Sequence, residues 1–597
     1  MDMPKLTAPV SPAGVNFSNE TQAFAFLMAV LNDDELKVQG NAYARVFWYG
    51  MVSAITVATL FNIATKLVAR ARLRDAALNK PYPSRPKSLP ARWFATLTAI
   101  GRESSYLALS PLRRVPWLKT PPMGTGLLVL AYSIWVLLLE FYDNDLPGAQ
   151  HWEAIGIRAG WLAVAQVPLL VLLVNKNNLI AFLTGVSYER LNILHRWAGR
   201  ILLFLALLHF GFQSYGWAKY GITELEWTTD TCPPTGIIAL GFLLWINIST
   251  IAPFRDLSYE LFVAQHLLSF AGFIIAIMYH IPPWTMPARQ YIYIPIAAYL
   301  VDRIVRTTYV AWSNRRVARA TLTQLDGDAT MIRVSNKAIR SWKPGSHVLL
   351  SIPRFGLFQN HPATIVSTPT SHGGDQIFVL KSHRGFTKKI RKGTNTSTSY
   401  AALLDGPYGG SQSDYAQLHS VLLCAGSTGV SFTLSILQDL AERSRLPLPL
   451  RRLHFVWCIK DVSWASWFDA EIAAAIDKLD KTGIDAQVSL FVTRATDLSV
   501  DDTDSVASFA DNKLPLEKTV AVDGMGQRLR IMPGRPDVRS LLAELLDGAE
   551  GESGVGACGP MSLTSTLRQQ VVTMSDERAV HKGGLPQGCY LHVESTY

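Results

Sequence analysis

Four histidines fall into two pairs with one spacing. His195 and His209 lie 14 residues apart, and His266 and His280 repeat the interval. Each pair is set in an apolar segment, LNILHRWAGRILLFLALLHFGF and SYELFVAQHLLSFAGFIIAIMYH. Over such an interval a helix climbs about 21 Å and returns to within about 40° of its starting face. Two helices of this kind, facing each other, would offer two His–His ligand pairs, one above the other. Two stacked bis-histidine haems need that arrangement. A lone intramembrane histidine is more often a helix–helix hydrogen bond or a proton relay. Here His151, in a polar loop, is the only other histidine before residue 310, so every embedded histidine belongs to the repeat. Small residues at Gly199, Ala206, Gly211 and Gly272 would let a flat macrocycle lie against helix backbone. The expected ligand pairs are His195 with His266 and His209 with His280. Arg196 and Arg200 suit either haem propionates or the membrane interface.

The second half of the chain carries shorter motifs. His361-Pro362-Ala-Thr364-Ile-Val-Ser367 places a rigid proline and two hydroxyls on a strand, where they can hold a flavin edge and its ribityl chain. Gly385-Phe-Thr387 precedes Lys388, Lys389, Arg391 and Lys392, so helix amides and positive charge would meet a pyrophosphate. An ordinary strand and a solvated basic face are the plain alternatives. Gly426-Ser427-Thr-Gly429 follows the apolar run VLLCA and opens a helix, the context of a phosphate-cradling turn. Lys460, after HFVWCI, is placed either for a ribose 2′-phosphate or simply for solvent. Cys558-Gly559-Pro560 also follows a small-residue strand and would bring a thiol and backbone close to a nicotinamide. The final residue, Tyr597, could cover a flavin face or fray as a terminus.

Membrane spans must position the first set. Seven apolar stretches reach the roughly 20 residues a bilayer requires, near 43–68, 124–142, 157–175, 192–215, 235–252, 259–281 and 290–309. Between residues 69 and 119 the chain is basic, whereas 143–156 and 217–233 carry acidic residues. Positive-inside counting therefore puts the amino terminus outside and everything beyond residue 310 in the cytosol. Sequons at Asn16 and Asn19 then fall on the lumenal side. His195 and His266 lie near the inner face and His209 and His280 near the outer. Past residue 314, short alternating runs predict an antiparallel barrel; past 417, buried strands alternating with helices predict a parallel α/β domain. A polar stretch at 496–513 has the character of a surface insertion.

Composition narrows the class. Hydrophobic residues make up 49% of the 597, too many for an ordinary soluble chain. The net charge of +10 is concentrated beside membrane spans, which argues against a nucleic-acid partner. Five cysteines with no CxxC and no Cys/His cluster argue against a zinc module or disulfide framework.

Together these residues resemble the ferric reductase branch of the transmembrane flavocytochrome b family, whose other main branch is the NADPH oxidases. The resemblance covers about residues 120–597 and rests on the doubled histidine motif, HPATIVS, the glycine turn at 426–429, Cys-Gly-Pro at 558–560 and the Glu594-Ser-Thr-Tyr597 tail. LHRWAGR at 194–200 is closer to fungal metalloreductases than to oxidases. Ala363 stands where an aromatic is usual, Ser427 where glycine is common, and Tyr597 where tryptophan or phenylalanine is frequent.

The resemblance implies a membrane α-helical bundle of about seven transmembrane helices and a cytosolic ferredoxin-reductase-like module. The expected parts are an extracytoplasmic segment (1–42), a haem domain (43–310), an antiparallel β-barrel FAD domain (311–412) and an α/β NADPH domain (413–597). It implies electron flow from NADPH through FAD and two haem b to ferric or cupric chelates outside, in support of reductive iron uptake beside an iron permease or ferroxidase. Cys558 and Tyr597 would act at the flavin–nicotinamide contact. The plasma membrane is the expected location, with the vacuolar membrane as alternative. Rivals are a superoxide-generating NADPH oxidase and a membrane transporter or scaffold without redox chemistry. Oligomeric state is left open.

Overall fold

A computed structural model describes residues 33–108, 121–255, 258–282, 285–394, 398–410, 413–494, 529–575 and 588–595, apart from positions 148 and 358, together with 13–19, 21–23, 25, 26 and 580. The stretch at 496–513 and Tyr597 lie outside the described residues. The chain forms two compact units, residues 1–63 with 127–307 and residues 64–126 with 308–597.

Helices α1 (Asp33–Ala77), α2 (Leu89–Tyr106), α3 (Met123–Phe141) and α4 (His151–Val174) come first. Then follow α5 (Tyr188–Tyr220), α6 (Cys232–Ser249), α7 (Tyr259–His280) and α8 (Met286–Ser313). Six of these, α1 and α3 to α7, are long and apolar enough to cross a membrane among the described residues. The seventh expected span does form a helix, α8, but it carries Arg289, Asp302, Arg303 and Arg306 and so falls short on apolarity. Its Asp302 is buried and accepts the backbone N–H of Asn177 at 2.8 Å, which gives that carboxylate a structural partner.

The core of the first unit gathers around α4. Ala159, Leu162, Ala165 and Val167 are fully buried there, against Leu202 and Leu205 of α5. One polar side chain on α4 has a clear structural task. Arg158 donates to the backbone oxygen of Asp143 at 2.8 Å and to Gln39 Oε1 at 2.6 Å, and lies over the Tyr43 ring. It thereby satisfies carbonyls just past the end of α3, where no further helical turn exists to do so.

The second unit holds two sheets. The first comprises β1 (Ala318–Leu325), β2 (Ala329–Ser335), β3 (Ser346–Ser351), β4 (His361–Thr364), β5 (Gln376–Lys381) and β6 (Tyr400–Gly409). Its order is β4-β3-β6-β1-β2-β5 with antiparallel neighbours throughout, as alternation in the sequence predicts. The second comprises β7 (Ser420–Gly426), β8 (Arg452–Ile459), β9 (Asp485–Val492), β10 (Leu529–Pro533), β11 (Ser553–Gly559) and β12 (Cys589–Ser595). It is parallel, in the order β10-β9-β8-β7-β11-β12. The chain walks outward from β7 to β10, then returns to place β11 on the other side of β7. This reversal leaves a crevice at the carboxyl ends of β7 and β11, where ligands bind in open α/β sheets.

The basic stretch after the first span has a second task beyond flanking a membrane. The described residues between 64 and 126 belong to the same unit as the sheets. Arg72 and Arg102 both pair with Glu552, Arg85 donates to the Glu550 carbonyl, and the Tyr106 hydroxyl accepts the Leu591 N–H at 3.0 Å. Burial alone would raise the Glu552 carboxyl; Arg102 and Arg72 outweigh it and hold the group at about 2.

Candidate functional site

The four membrane histidines meet in the expected combinations. Ring centroids of His195 and His266 lie 6.4 Å apart, and those of His209 and His280 5.9 Å apart. An imidazole nitrogen sits about 2.0–2.1 Å from a bound first-row metal, so two axial rings on one iron would leave centroids roughly 6 Å apart. Both gaps fit one metal centre.

Neighbouring helices fix the ring tautomers. His195 Nδ1 lies 2.9 Å from the Leu170 carbonyl, His209 Nδ1 2.8 Å from that of Gly156, and His280 Nδ1 2.8 Å from that of Cys232. A carbonyl only accepts, so in each ring Nδ1 carries the proton and Nε2 keeps the lone pair a metal requires. The two acceptors on α4, Gly156 and Leu170, are themselves separated by the 14-residue interval, because α4 runs alongside α5. His266 Nδ1 is buried without such a bond among the described residues.

Two glycines that the motif reading passed over make this packing work. A Cβ at Gly160 would come within 2.9 Å of His209 Nδ1, and one at Gly236 within 2.8 Å of His280 Nδ1. Each stands four residues after the accepting carbonyl. A helical Cβ leans toward the amino terminus, so any larger residue there would cover that carbonyl. The signal was present as glycine inside an apolar helix, at Gly156-x3-Gly160 and Cys232-x3-Gly236. Of the small residues singled out for a macrocycle, Gly199 and Gly211 do border open space, with nothing closer than 3.9 Å to their Cβ positions. Gly272 instead packs on the Phe242 ring, where a Cβ would approach to 2.5 Å. Arg200 lies over the Trp197 ring.

In the antiparallel sheet, two separate motifs come together. The His361 ring stacks on Phe386 with centroids 4.1 Å apart and planes 13° apart. That contact brings β4 to the start of the helix Phe386–Gly393, which Gly385 caps at φ 58°. Pro362 and Thr364 share the less buried face of β4, while Ala363 points into the core. Lys388 and Lys389 stand exposed at the helix start. Two hydroxyls are otherwise engaged. Ser367 is buried, donates to the Asp375 carbonyl at 2.8 Å and accepts the Ile377 N–H, so it ties the chain rather than facing a ligand. Thr387 accepts the His383 N–H at 3.0 Å and shapes the turn.

At the crevice of the parallel sheet the glycines are needed for close approach. A Cβ at Gly429 would lie 2.2 Å from the Cys558 carbonyl, one at Gly426 2.5 Å from Pro560, and one at Gly559 2.9 Å from the Gly426 nitrogen. Gly426-Ser427-Thr-Gly429 and Cys558-Gly559-Pro560 thus form one surface. Ser427 adopts φ 54°, the left-handed region that explains why glycine suits this position, and its carbonyl accepts the Trp457 indole at 3.0 Å. Burial, reinforced by Glu594, pushes the Cys558 thiol up to about 12, so it is a neutral thiol rather than a nucleophile. Lys460 is exposed at the end of β8, and its carbonyl accepts the Arg494 N–H at 3.2 Å. Lys381 from β5 joins them; burial and then the charge of Lys460 lower its ammonium pKa.

Three family models match this chain in the order of its domains. Ferric reductase like transmembrane component covers 159–277, FAD-binding domain 314–412 and ferric reductase NAD binding domain 418–572. The fold is that of a multi-pass helical unit followed by FAD-binding and NAD-binding domains. By domain content and order the chain is similar to fungal ferric/cupric reductases. Among its relatives, a probable cell surface ferric reductase of Aspergillus oryzae is 29% identical over 66% of this chain and 57% of its own length. Ferric/cupric reductase transmembrane component 7 of Saccharomyces cerevisiae is 25% identical over 70% of this chain and 69% of its own length. Ferric reductase transmembrane component 3 of the same yeast is 26% identical over 90% of this chain and 75% of its own. The chain thus spans little more than half the length of the Aspergillus relative. A solved ferredoxin NADP+ reductase from Neisseria gonorrhoeae covers 47% of this chain and 98% of its own, at 13% identity and a TM-score of 0.33. The strand orders above carry the fold without it.

Proposed function

We propose that this protein is a transmembrane ferric-chelate reductase that takes electrons from cytosolic NADPH and delivers them to ferric or cupric chelates on the extracytoplasmic side. The two histidine pairs, each spaced for one metal centre and with three of the four rings held in the ligating tautomer, carry the proposal. Bound FAD would convert a two-electron hydride donor into single electrons, and two haem b held by His195 with His266 and His209 with His280 would supply one-electron carriers.

The side chains supply position and charge. Helices α4 and α6 hold three of the four rings through backbone carbonyls, which orients those rings for a metal. Pro362 and Thr364 would line the flavin, and the Phe386–Gly393 helix start with Lys388 and Lys389 would hold its pyrophosphate. Gly426 to Gly429 and Cys558 to Pro560 would receive the nicotinamide nucleotide. Lys460, Lys381 and Arg494 form a cationic cluster suited to a 2′-phosphate, which favours NADPH over NADH. Asp230 Oδ1 accepts the N–H of Cys232, whose carbonyl holds His280, so the acidic stretch 224–230 adjoins the outer pair. Glu224, Glu226 and Asp230 would gather cationic iron or copper species there. With the cytosol negative, outward movement of one electron gains about 2.3 kcal/mol per 100 mV.

The test is NADPH-driven reduction of a ferric chelate by membranes containing the protein, with and without superoxide dismutase. A dismutase-insensitive rate that disappears in His209→Ala is expected. A rate abolished by dismutase would make oxygen the acceptor and overturn the metal-reductase assignment.

A further inference from the structure

The far end of the parallel sheet carries a ring stack and an ion pair that no motif announced. His592, on β12, is 2% exposed. Its ring stacks on Phe432 with centroids 5.4 Å apart and planes 15° apart, and its Nε2 lies 3.1 Å from Glu594 Oε2. Phe432 belongs to the helix that follows the glycine turn. Its ring edge occupies the space beside Gly345, where a Cβ would approach to 2.5 Å, and the Gly345 N–H donates to Ser435 on the same helix at 2.8 Å. Phe432 is therefore held on one side by the antiparallel sheet and on the other by His592. On the neighbouring strand β11, Cys558 is the register partner of Glu594.

Residues i and i+2 of a strand project from one face, so His592 and Glu594 are suited to bond each other. A free glutamate would sample several rotamers; one bonded to a clamped ring is held in place. We infer that His592 is a positioning residue for hydride transfer, holding the Glu594 carboxylate beside Cys558 where a nicotinamide ring would dock. This rests on the proposal that the nicotinamide binds at Cys558. In the step itself the C4–H bond of the dihydronicotinamide breaks, and the hydrogen leaves with both electrons to the flavin. The donor ring is left as a positively charged pyridinium. A fixed carboxylate close by stabilises that developing charge, and it does so most when it need not reorient during the step.

The experiment uses the full-length holoenzyme. His592→Phe keeps a ring on Phe432 and removes the bond to Glu594; His592→Asn keeps a donor and removes the stack; Glu594→Gln and Cys558→Ala complete the set. Anaerobic flavin reduction by NADPH is followed by stopped flow. Calorimetry gives the affinity for NADP+ and for a non-reacting tetrahydro analogue of NADPH. His592→Phe is expected to slow flavin reduction about tenfold. It should weaken NADP+ binding while leaving the uncharged-ring analogue unaffected, with a melting temperature close to wild type. His592→Phe combined with Glu594→Gln should be no slower than Glu594→Gln alone. A wild-type rate in His592→Phe, beside a slowed Cys558→Ala, overturns the inference alone. So does an equal loss of both affinities together with thermal stability, which marks a structural role. An unchanged Cys558→Ala overturns docking at Cys558, and this inference with it.

Discussion

His209 and His280 face each other with ring centroids 5.9 Å apart, each tied through Nδ1 to a carbonyl on a separate helix. The gap is therefore set by four helices together, α4 and α6 as braces and α5 and α7 as carriers. His209→Ala should abolish the b-type absorbance of one haem and lower ferric reduction by at least about tenfold, while FAD content stays unchanged. Gly160→Val should produce a milder version of the same defect, because its side chain would push on the His209 ring. Visible spectra of purified protein with flavin quantified in parallel would check both. Full haem retention in Gly160→Val would mean that α4 does not set the ring position.

Nucleotide preference offers a second measurement. Lys460→Ala and Lys381→Ala should each raise the KM for NADPH about tenfold, equivalent to ~1.4 kcal/mol, and leave that for NADH nearly unchanged. An equal loss with both nucleotides would assign these lysines a general electrostatic role.

At the crevice, Gly429→Ala puts a methyl 2.2 Å from a backbone carbonyl that cannot rotate away. A cost of about 1–3 kcal/mol is expected, with loss of nucleotide-dependent flavin reduction ahead of any loss of haem. Thermal unfolding and flavin reduction measured on the same preparation would show whether the two go together.

Glu552 makes an acid-limb prediction. Its carboxyl is held at about 2, against an ordinary value of 4.5, by Arg102 and Arg72. A depressed carboxylate stabilises the fold fully above its unfolded pKa, and that contribution fades as pH falls from 4.5 toward 2. Glu552→Gln should destabilise the protein at neutral pH by on the order of 2 kcal/mol, since one buried and one half-buried cation lose their partner. The variant should also flatten the pH dependence of melting between those values. An unaltered acid limb would show that other carboxylates govern it.

The histidine repeat, the alternation of strands and the two glycine motifs could be read along the chain because each is a local pattern. Spacing on a helix decides which residues share a face, and a strand followed by a glycine turn and a helix has few uses. Apolarity in the same way marked seven spans, of which six form helices long and apolar enough to cross a membrane among the described residues, while the seventh, α8, carries too much charge. What depends on residues far apart in sequence was not readable there. The meeting of His361 with Phe386, the bonds from α4 and α6 to the histidine rings, the joining of Gly429 to Cys558, and the pairing of Arg72 and Arg102 with Glu552 exist only once helices and strands pack. The hydroxyl of Ser367 shows the same limit: its residue type suits a flavin, but burial and the neighbouring strand claim both its donor and its acceptor. Sequence determined which chemistry the side chains could perform. Packing decided which of them are free to perform it, because a buried polar group must first satisfy its own hydrogen bonds.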